Sequence, residues 1–252
     1  MRSNHPRISI IVATFNAAST LQNCLNSILE QDFQDIELLV ADADSQDGTV
    51  DILELNSRHL AWWVSEPDKG IYDAWNKALS QAKGEYVMFL GADDALNGPL
   101  TLSRIFQAVG SASFDLVSGR GALIDDQGRV YHEFGYPWNF RAVQRRMRIC
   151  HPGALHCREL FDRFGKFDTT YRICADYEFI LRLPIDLRTL FIDYPLVRIS
   201  DGGISRKRRI DALREVYTAQ SRCPRIGRAV AAFNFLDKLW RLPAARLLGM
   251  PN

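Results

Sequence analysis

Ile36-Glu37-Leu38-Leu39-Val40-Ala41 runs into Asp42-Ala43-Asp44-Ser45-Gln46-Asp47-Gly48, and Tyr86-Val87-Met88-Phe89-Leu90 runs into Gly91-Ala92-Asp93-Asp94. Each is a hydrophobic, strand-like run that ends in an acidic turn. In an open α/β sheet, ligands bind outside the carboxyl ends of the strands. Carboxylates gathered there repel a bare phosphate. They suit a diphosphate bridged through a divalent cation, or sugar hydroxyls and base N–H groups that donate to them. The two turns together point to a nucleotide diphosphate held through metal.

Strand and helix signals alternate on either side of these turns. Ile8–Ala13 is β-branched and apolar, as a strand buried on both faces requires. Ser19 is placed to cap a helix carrying Leu21, Leu25, Ile28 and Leu29 on one face. Thr49–Leu55 reads as a short helix and Leu60–Val64 as a strand. Ile71–Ala82 reads as a helix with Tyr72, Trp75, Ala78 and Leu79 at helical spacing. Pro99 fits the first turn of a helix reaching Val109. This rhythm implies right-handed βαβ units and a parallel sheet. Short strands are then expected at Leu116–Gly119, Leu123–Ile124 and Val130–Phe134, with a hairpin signal at Asp126-Gln127-Gly128. Strands at Pro152–His156 and Thr189–Ile192 flank expected helices Arg158–Phe164 and Asp176–Arg182. No linker interrupts this half, so it completes the same sheet.

The chain has 252 residues, 47% hydrophobic and 24% charged, enough for one large core. Its formal net charge of +1 gives no global field for nucleic acid. The charge is unevenly spread. From Arg206 on there are 11 basic and three acidic residues, net +8, so the preceding 205 residues carry 20 and 27, net −7. Five cysteines at 24, 150, 157, 174 and 223 have no regular spacing, and Met1–Arg7 is polar. A cytosolic protein with reduced thiols is the expectation. No apolar run reaches the roughly 20 residues of a spanning helix.

Two nucleotide-binding classes drop out. Thr14-Phe15-Asn16-Ala17 follows the first strand without the glycines of a dinucleotide turn, and there is no glycine-lysine-serine phosphate loop. The same lack of a glycine- and lysine-rich loop disfavours a sugar nucleotidyltransferase. Val12–Asn16, Ala41–Thr49, Glu66–Ala78, Gly84–Asp94, Cys150–Ala154, Phe164–Asp168 and Cys174–Leu183, in that order and spacing, resemble family 2 glycosyltransferases of the GT-A fold. The resemblance covers roughly residues 7–205. It implies a Rossmann-like mixed sheet with flanking helices, read as a catalytic domain over 1–205 and a basic helical tail over 206–252.

The resemblance also implies roles. Thr14, Phe15 and Asn16 fall at the nucleotide, with Phe15 packing on the base and Asp42 reading it. Asp44 and Asp68 fall at the same pocket. Lys69 faces phosphate or is solvated, and Asn76 touches ligand or supports the loop. Asp93 and Asp94 match the metal and ribose acids, for Mn²⁺ or Mg²⁺, although Gly91 stands where the family has its first aspartate. His151 lies near the diphosphate or acceptor. Zinc at Cys150, His151, His156 and Cys157 is disfavoured, because adjacent Cys-His ligands fit poorly. Asp201–Ser205 resembles a flexible loop over the site. Asp176 matches the catalytic base, which takes the acceptor hydroxyl proton during inverting transfer. An acid reading a pyrimidine imide favours a UDP or dTDP donor. A silent sugar-nucleotide-binding protein is the non-enzyme alternative, and retention of Asp93, Asp94 and Asp176 argues against it.

The tail reads as basic and amphipathic. Arg206–Arg209, Arg222, Arg225 and Arg228 precede Val230, Phe233, Phe235, Leu236, Leu239, Trp240, Leu242, Leu247 and Leu248, with Lys238, Arg241 and Arg246 interleaved. A basic helix with a Trp/Phe/Leu face suits a membrane interface. Packing on the domain or on a second copy in a homodimer is the competing use of that face, and Pro224 and Pro243 are expected to break it. The expectation is a peripheral enzyme at the cytoplasmic face whose acceptor is a lipid-linked saccharide of a cell-surface polymer.

Overall fold

The computed structural model describes residues 5–247, with side-chain surroundings as far as residue 240. Strands β1 (Ile8–Thr14), β2 (Ile36–Asp42), β3 (Trp62–Ser65) and β4 (Tyr86–Gly91) form the parallel half of one sheet, in the order β3-β2-β1-β4. Helices α1 (Leu21–Leu29), α2 (Thr49–Asn56) and α3 (Ile71–Leu79) make the crossovers. The order reverses between β1 and β4, which opens a crevice at their carboxyl ends.

β1, β2 and β4 are buried on both faces, and alternate residues enter different cores. Ile11, Leu39, Val87 and Phe89 pack with α3. Ile8, Ile10, Val12, Leu38, Met88 and Leu90 pack with α1 and with α4 (Thr101–Val109). Burial of each such side chain contributes about 1.5–3 kcal/mol, so these strands anchor the acidic turns at their ends.

The second half is mixed. β5 (Asp94–Leu96), β6 (Leu116–Ile124), β7 (Val130–Phe134), β8 (Leu155–Cys157) and β9 (Thr189–Ser200) extend the sheet as β4-β8-β6-β9-β5, with β7 on β6. Helices α5 (Phe140–Val143), α6 (Glu159–Phe164) and α7 (Ala175–Arg182) lie between them. This is the mixed α/β architecture with flanking helices expected above.

Several local expectations change. β6 is one nine-residue strand, not two. β9 runs to Ser200 although Asp193 and Pro195 spoil its apolar pattern; the register shifts there, between Gly119 and Gly121, and the ladder resumes. β5 was not expected at all. It forms because the chain after the second acidic turn pairs antiparallel with β9, Asp94 opposite Ile199. α1 starts at Leu21 with Thr20 at its N-cap position, not Ser19. Helix α4 starts two residues after Pro99, and α7 starts at Ala175, so Asp176 lies inside the first turn and does not cap it.

Beyond Ser200 come α8 (Ile204–Lys207), α9 (Arg209–Arg222) and α10 (Gly227–Leu247). α9 packs on α7 and gives Ala219 to the α3-side core, and the link after it gives Cys223 and Ile226. α10 packs on α9 through Ala231 and Asn234. A buried polar network ties them together. Asn234 Nδ2 donates to Gln220 Oε1 at 3.2 Å, Gln220 Nε2 to Tyr177 Oη at 2.9 Å, and Tyr177 Oη to the Val143 carbonyl at 2.7 Å. Pro224 separates α9 from α10, whereas α10 continues through Pro243. The side chains of Arg241, Leu242, Arg246 and Leu247, and all of Leu248, lie outside the described residues.

Gly84 marks the tightest point of the parallel half. A Cβ there would stand 2.5 Å from the Ser9 amide nitrogen and 2.8 Å from the Ile8 carbonyl carbon, both backbone. Gly84→Ala should therefore cost about 1–3 kcal/mol, read as a lower urea midpoint at an unchanged slope. A wild-type midpoint would mean that β1 and β4 tolerate separation at this end.

Candidate functional site

The carboxyl ends of β1 and β2, the loop after β3 and the start of α3 surround a crevice. A cavity of about 390 Å³ opens beside β1, lined by Ala13, Thr14, Phe15, Asp68, Gly70 and Ala74. Thr14 is buried, yet its hydroxyl has no partner within the protein. Phe15 is 63% exposed at the cavity rim. An aromatic face left in water beside a buried, unsatisfied hydroxyl is what a planar polar ligand would cover.

The acids around this cavity differ in how free they are. Asp42 is only 2% exposed and accepts three hydrogen bonds, from Ser45 N (2.9 Å), Ser45 Oγ (2.5 Å) and Ser65 Oγ (2.6 Å). It staples the turn after β2 to the end of β3. Ser45 Oγ in turn accepts from Asn16 N at 2.8 Å, and Asn16 Oδ1 accepts from Gln46 N at 3.0 Å. Asn16 and Asp44 both adopt positive φ, 47° and 59°. Asp44 is exposed and carries the turn. Asp68 Oδ1 accepts from Gly70 N at 2.7 Å, and burial raises its pKa. Lys69 is exposed; its amide donates to Asp73 and its carbonyl accepts from Arg172.

Two expected ligand contacts turn inward. Asn76 donates to the Phe167 carbonyl at 2.8 Å and accepts from Phe167 N at 3.1 Å, so its amide is spent on backbone. His151 is 2% exposed, enclosed by Trp75, Phe89, His156 and Phe167, and burial lowers its pKa to about 3. It is a neutral ring inside the core, away from the cavity wall. The reason is the apolar packing between β4 and α7, which the motif's spacing does not reveal.

Asp93 and Asp94 close over Gly91. A Cβ at Gly91 would stand 2.8 Å from Asp93 Oδ1 and 3.3 Å from Asp94 Oδ2, so both carboxylates lean into the space that a side chain there would fill. Asp94 Oδ2 also accepts from Gly91 N at 2.8 Å. Asp94 is buried and Asp93 exposed. Burial and then the neighbouring Asp93 charge raise the Asp94 pKa to about 7. Among the described residues, no group of three or more His, Cys, Asp or Glu side chains is arranged to hold a metal. Two convergent carboxylates with no cationic partner still fit a hard cation that takes its other oxygens from a ligand.

Asp176, in the first turn of α7, is tied to α3. Tyr72 Oη lies 2.9 Å from Asp176 Oδ1 and 2.7 Å from the Ile173 carbonyl. A phenol has one hydrogen, so it cannot serve both acceptors fully. When Asp176 is protonated it can donate to Tyr72 Oη, and Tyr72 then donates to Ile173. The Asp176–Tyr72 hydrogen bond persists in both protonation states, with its direction reversed. Burial raises the Asp176 pKa from the ordinary carboxylate value, and the Tyr72 hydrogen bond opposes that rise. Tyr72 was expected only as a core residue; its reach across 104 positions leaves no local signal. Tyr72 packs edge-on against Trp75, whose Nε1 donates to the Leu90 carbonyl at 3.3 Å, which links Asp176 to the end of β4.

A nucleotide-type crevice in a 3-2-1-4 sheet, with an acid pair at β4 and an acid on a facing helix, defines the class of GT-A-fold sugar transferases. The sequence pattern described as glycosyl transferase family 2 matches residues 9–163, and the chain belongs to that family. A PGL/p-HBAD biosynthesis glycosyltransferase of Mycobacterium bovis is 34% identical over 181 residues, covering 70% of this chain and 69% of the relative. Two solved structures share the fold. S. aureus TarS 1-349 in complex with UDP-GlcNAc has a TM-score of 0.67 at 20% identity, over 92% of this chain and 71% of its own. The mannosyltransferase PcManGT from Pyrobaculum calidifontis, in complex with GDP-Man and Mn²⁺, has 0.66 at 23% identity, over 97% and 74%.

The raised Asp94 pKa has a signed consequence. The folded state holds this proton more tightly than the unfolded chain does, so the contribution of Asp94 to stability is full below about pH 4 and is lost as pH rises through about 7. In EDTA, Asp94→Asn should therefore melt progressively higher than wild type between pH 5 and 8. Equal melting curves across that range would mean that Asp94 titrates normally.

Proposed function

We propose that this chain is an inverting glycosyltransferase that moves a sugar from a nucleotide-diphosphate sugar to a hydroxyl of a saccharide acceptor. The observation that carries this reading is the Asp176–Tyr72 pair, an acid with a raised pKa whose hydrogen bond to the phenol survives protonation. Asp176 takes the proton of the acceptor hydroxyl as that oxygen attacks the anomeric carbon and the bond to the diphosphate breaks. Phe15 covers the base, and the Thr14 hydroxyl and Asp68 take polar groups of the nucleotide. Asp93 and Asp94 would hold Mn²⁺ or Mg²⁺, which when bound supplies charge stabilisation to the leaving diphosphate. Support comes from the carboxylates closing over Gly91 and from the Mn²⁺ bound in PcManGT.

UDP or dTDP remains the favoured donor on the grounds of an acid at position 42. The three hydrogen bonds already on Asp42 weaken that ground, and the two structural relatives carry UDP and GDP respectively. A thermal-shift panel of UDP-, dTDP- and GDP-sugars with Mn²⁺ decides it. A true donor at about 100-fold over its Kd adds about 2.7 kcal/mol.

Asp176→Asn should keep donor binding in that panel while turnover falls about 10²-fold or more. Tyr72→Phe removes a hydrogen bond to the ionised form, so the acid limb of kcat against pH should move to higher pH. Wild-type turnover in Asp176→Asn would place the base elsewhere.

The acceptor is read from α10. Val230, Phe233, Leu236, Leu239 and Trp240 are exposed, Phe233 by 71% and Trp240 by 83%, while Ala231 and Asn234 face α9. No described helix is long and apolar enough to cross a membrane. An outward apolar stripe beside basic residues suits an anionic lipid surface, so a lipid-linked acceptor at the cytoplasmic face is the proposal. Phe233→Glu with Trp240→Glu should abolish sedimentation with phosphatidylglycerol vesicles at low salt and leave donor hydrolysis intact. If the wild-type chain ignores such vesicles and scatters light as a dimer, a second copy covers the stripe.

A further inference from the structure

Glu215 of α9 accepts hydrogen bonds from three consecutive backbone amides. Arg172 N donates to Oε1 at 2.9 Å, and Ile173 N and Cys174 N donate to Oε2 at 2.8 and 2.9 Å. These amides form the turn that enters α7, two residues before Asp176. Amides at a helix N-terminus lack intrahelical partners, and an acid beside them is favourable. Cys174, at the N-cap position, makes no side-chain cap; its Sγ donates instead to the Ala212 carbonyl of α9 at 3.5 Å. The cap therefore comes from about 40 positions downstream. On its other side the turn is held by Tyr72 through the Ile173 carbonyl.

We propose that Glu215 is a positioning residue for glycosyl transfer, fixing the Arg172–Cys174 turn so that the Asp176 carboxylate stays directed at the acceptor hydroxyl. This rests on Asp176 being the base. It makes α9 part of the working site, in place of an appendage. Arg172 also reaches the Lys69 carbonyl, so the same turn touches the loop between β3 and α3 that lines the cavity.

The charge arrangement offers a readout beyond stability. Asp176 is faced by Tyr72 from α3, Cys174 from its own turn and Glu215 from α9, and Lys238 of α10 faces Cys174. The Glu215 charge disfavours ionised Asp176. Removing that charge moves the acid limb of kcat to lower pH, whereas loss of mere scaffolding lowers the melting temperature and leaves the limb in place.

The test uses the full chain, with water as the acceptor and the nucleotide sugar that gives the largest thermal shift as donor. Glu215→Ala should lower kcat about 10-fold or more, since small misplacements of a reacting group carry large rate penalties. Donor KM should stay within about twofold, because Glu215 is not itself among the residues that line the cavity. Glu215→Gln keeps the volume and one acceptor oxygen; it should retain more kcat and still shift the acid limb downward. It also stands in if the alanine variant does not fold. Amide exchange at Arg172–Cys174 should accelerate in either variant. Wild-type kcat, limb and exchange in a folded Glu215→Gln would overturn the inference. The base reading fails separately, if Asp176→Asn hydrolyses donor at the wild-type rate.

Discussion

The rest of the site depends on an unbalanced pair of carboxylates at the end of β4. Asp94 is buried on a strand, Asp93 stands beside it, and among the described residues neither pairs with a lysine or arginine. A buried carboxylate next to a like charge either holds a proton or waits for a cation. The position is made possible by β5, whose pairing with β9 fixes Asp94 opposite Ile199, and by Gly91, which leaves room for both side chains. The acids thus stand at the carboxyl end of β4, beside the point where the strand order reverses between β1 and β4.

The parallel half was legible because its strands are buried on both faces and read as continuous apolar runs. β1, β2 and β4 and their acidic turns fall where the pattern put them. What the sequence hid depends on distant partners. β5 is three residues long and exists only because β9 is long enough to reach it. Tyr72 and Glu215 act across 104 and about 42 positions, and each looks locally like an ordinary helix residue. Family resemblance placed His151 near the ligand, yet it is sealed in an aromatic core, and Asn76, expected to touch ligand or support a loop, is consumed by the Phe167 backbone. A motif records which residue stands at a position, not where its hydrogen bonds go.

The basic segment after Arg206 is two different things. α9 and the link after it turn Ala219, Cys223 and Ile226 into the core, and their arginines are partly committed. Arg222 stacks on Tyr171. Arg225, in the link to α10, donates to the carbonyls of Leu181, Arg182 and Leu183 at the end of α7. Cations near a helix C-terminus are favourable, so part of the segment's positive charge is structural. α10 leaves its apolar stripe outside. Net charge alone could not separate these uses, because it counts bonded and free arginines alike.

Asp94 and Asp176 are both pushed toward their neutral forms by burial, and the push has opposite consequences at the two sites. At Asp94 the proton is an obstacle, since only the ionised pair can hold a cation. At Asp176 a raised pKa suits the proposed role, because a base must be basic enough to accept a proton from a hydroxyl and must not lose hydrogen bonds in doing so. Tyr72 resolves the second requirement by switching its donor between Asp176 and Ile173. Its neighbour Trp75 is bonded to Leu90, the last residue before the Gly91 turn, so both acids are referenced to one short helix, α3. A shift of α3 would therefore move Asp176 and the Asp93/Asp94 pair together, which is why the loop from Asp68 to Gly70, tied to Arg172 and the Glu215-capped turn, is the joint on which the two halves of the proposed site agree.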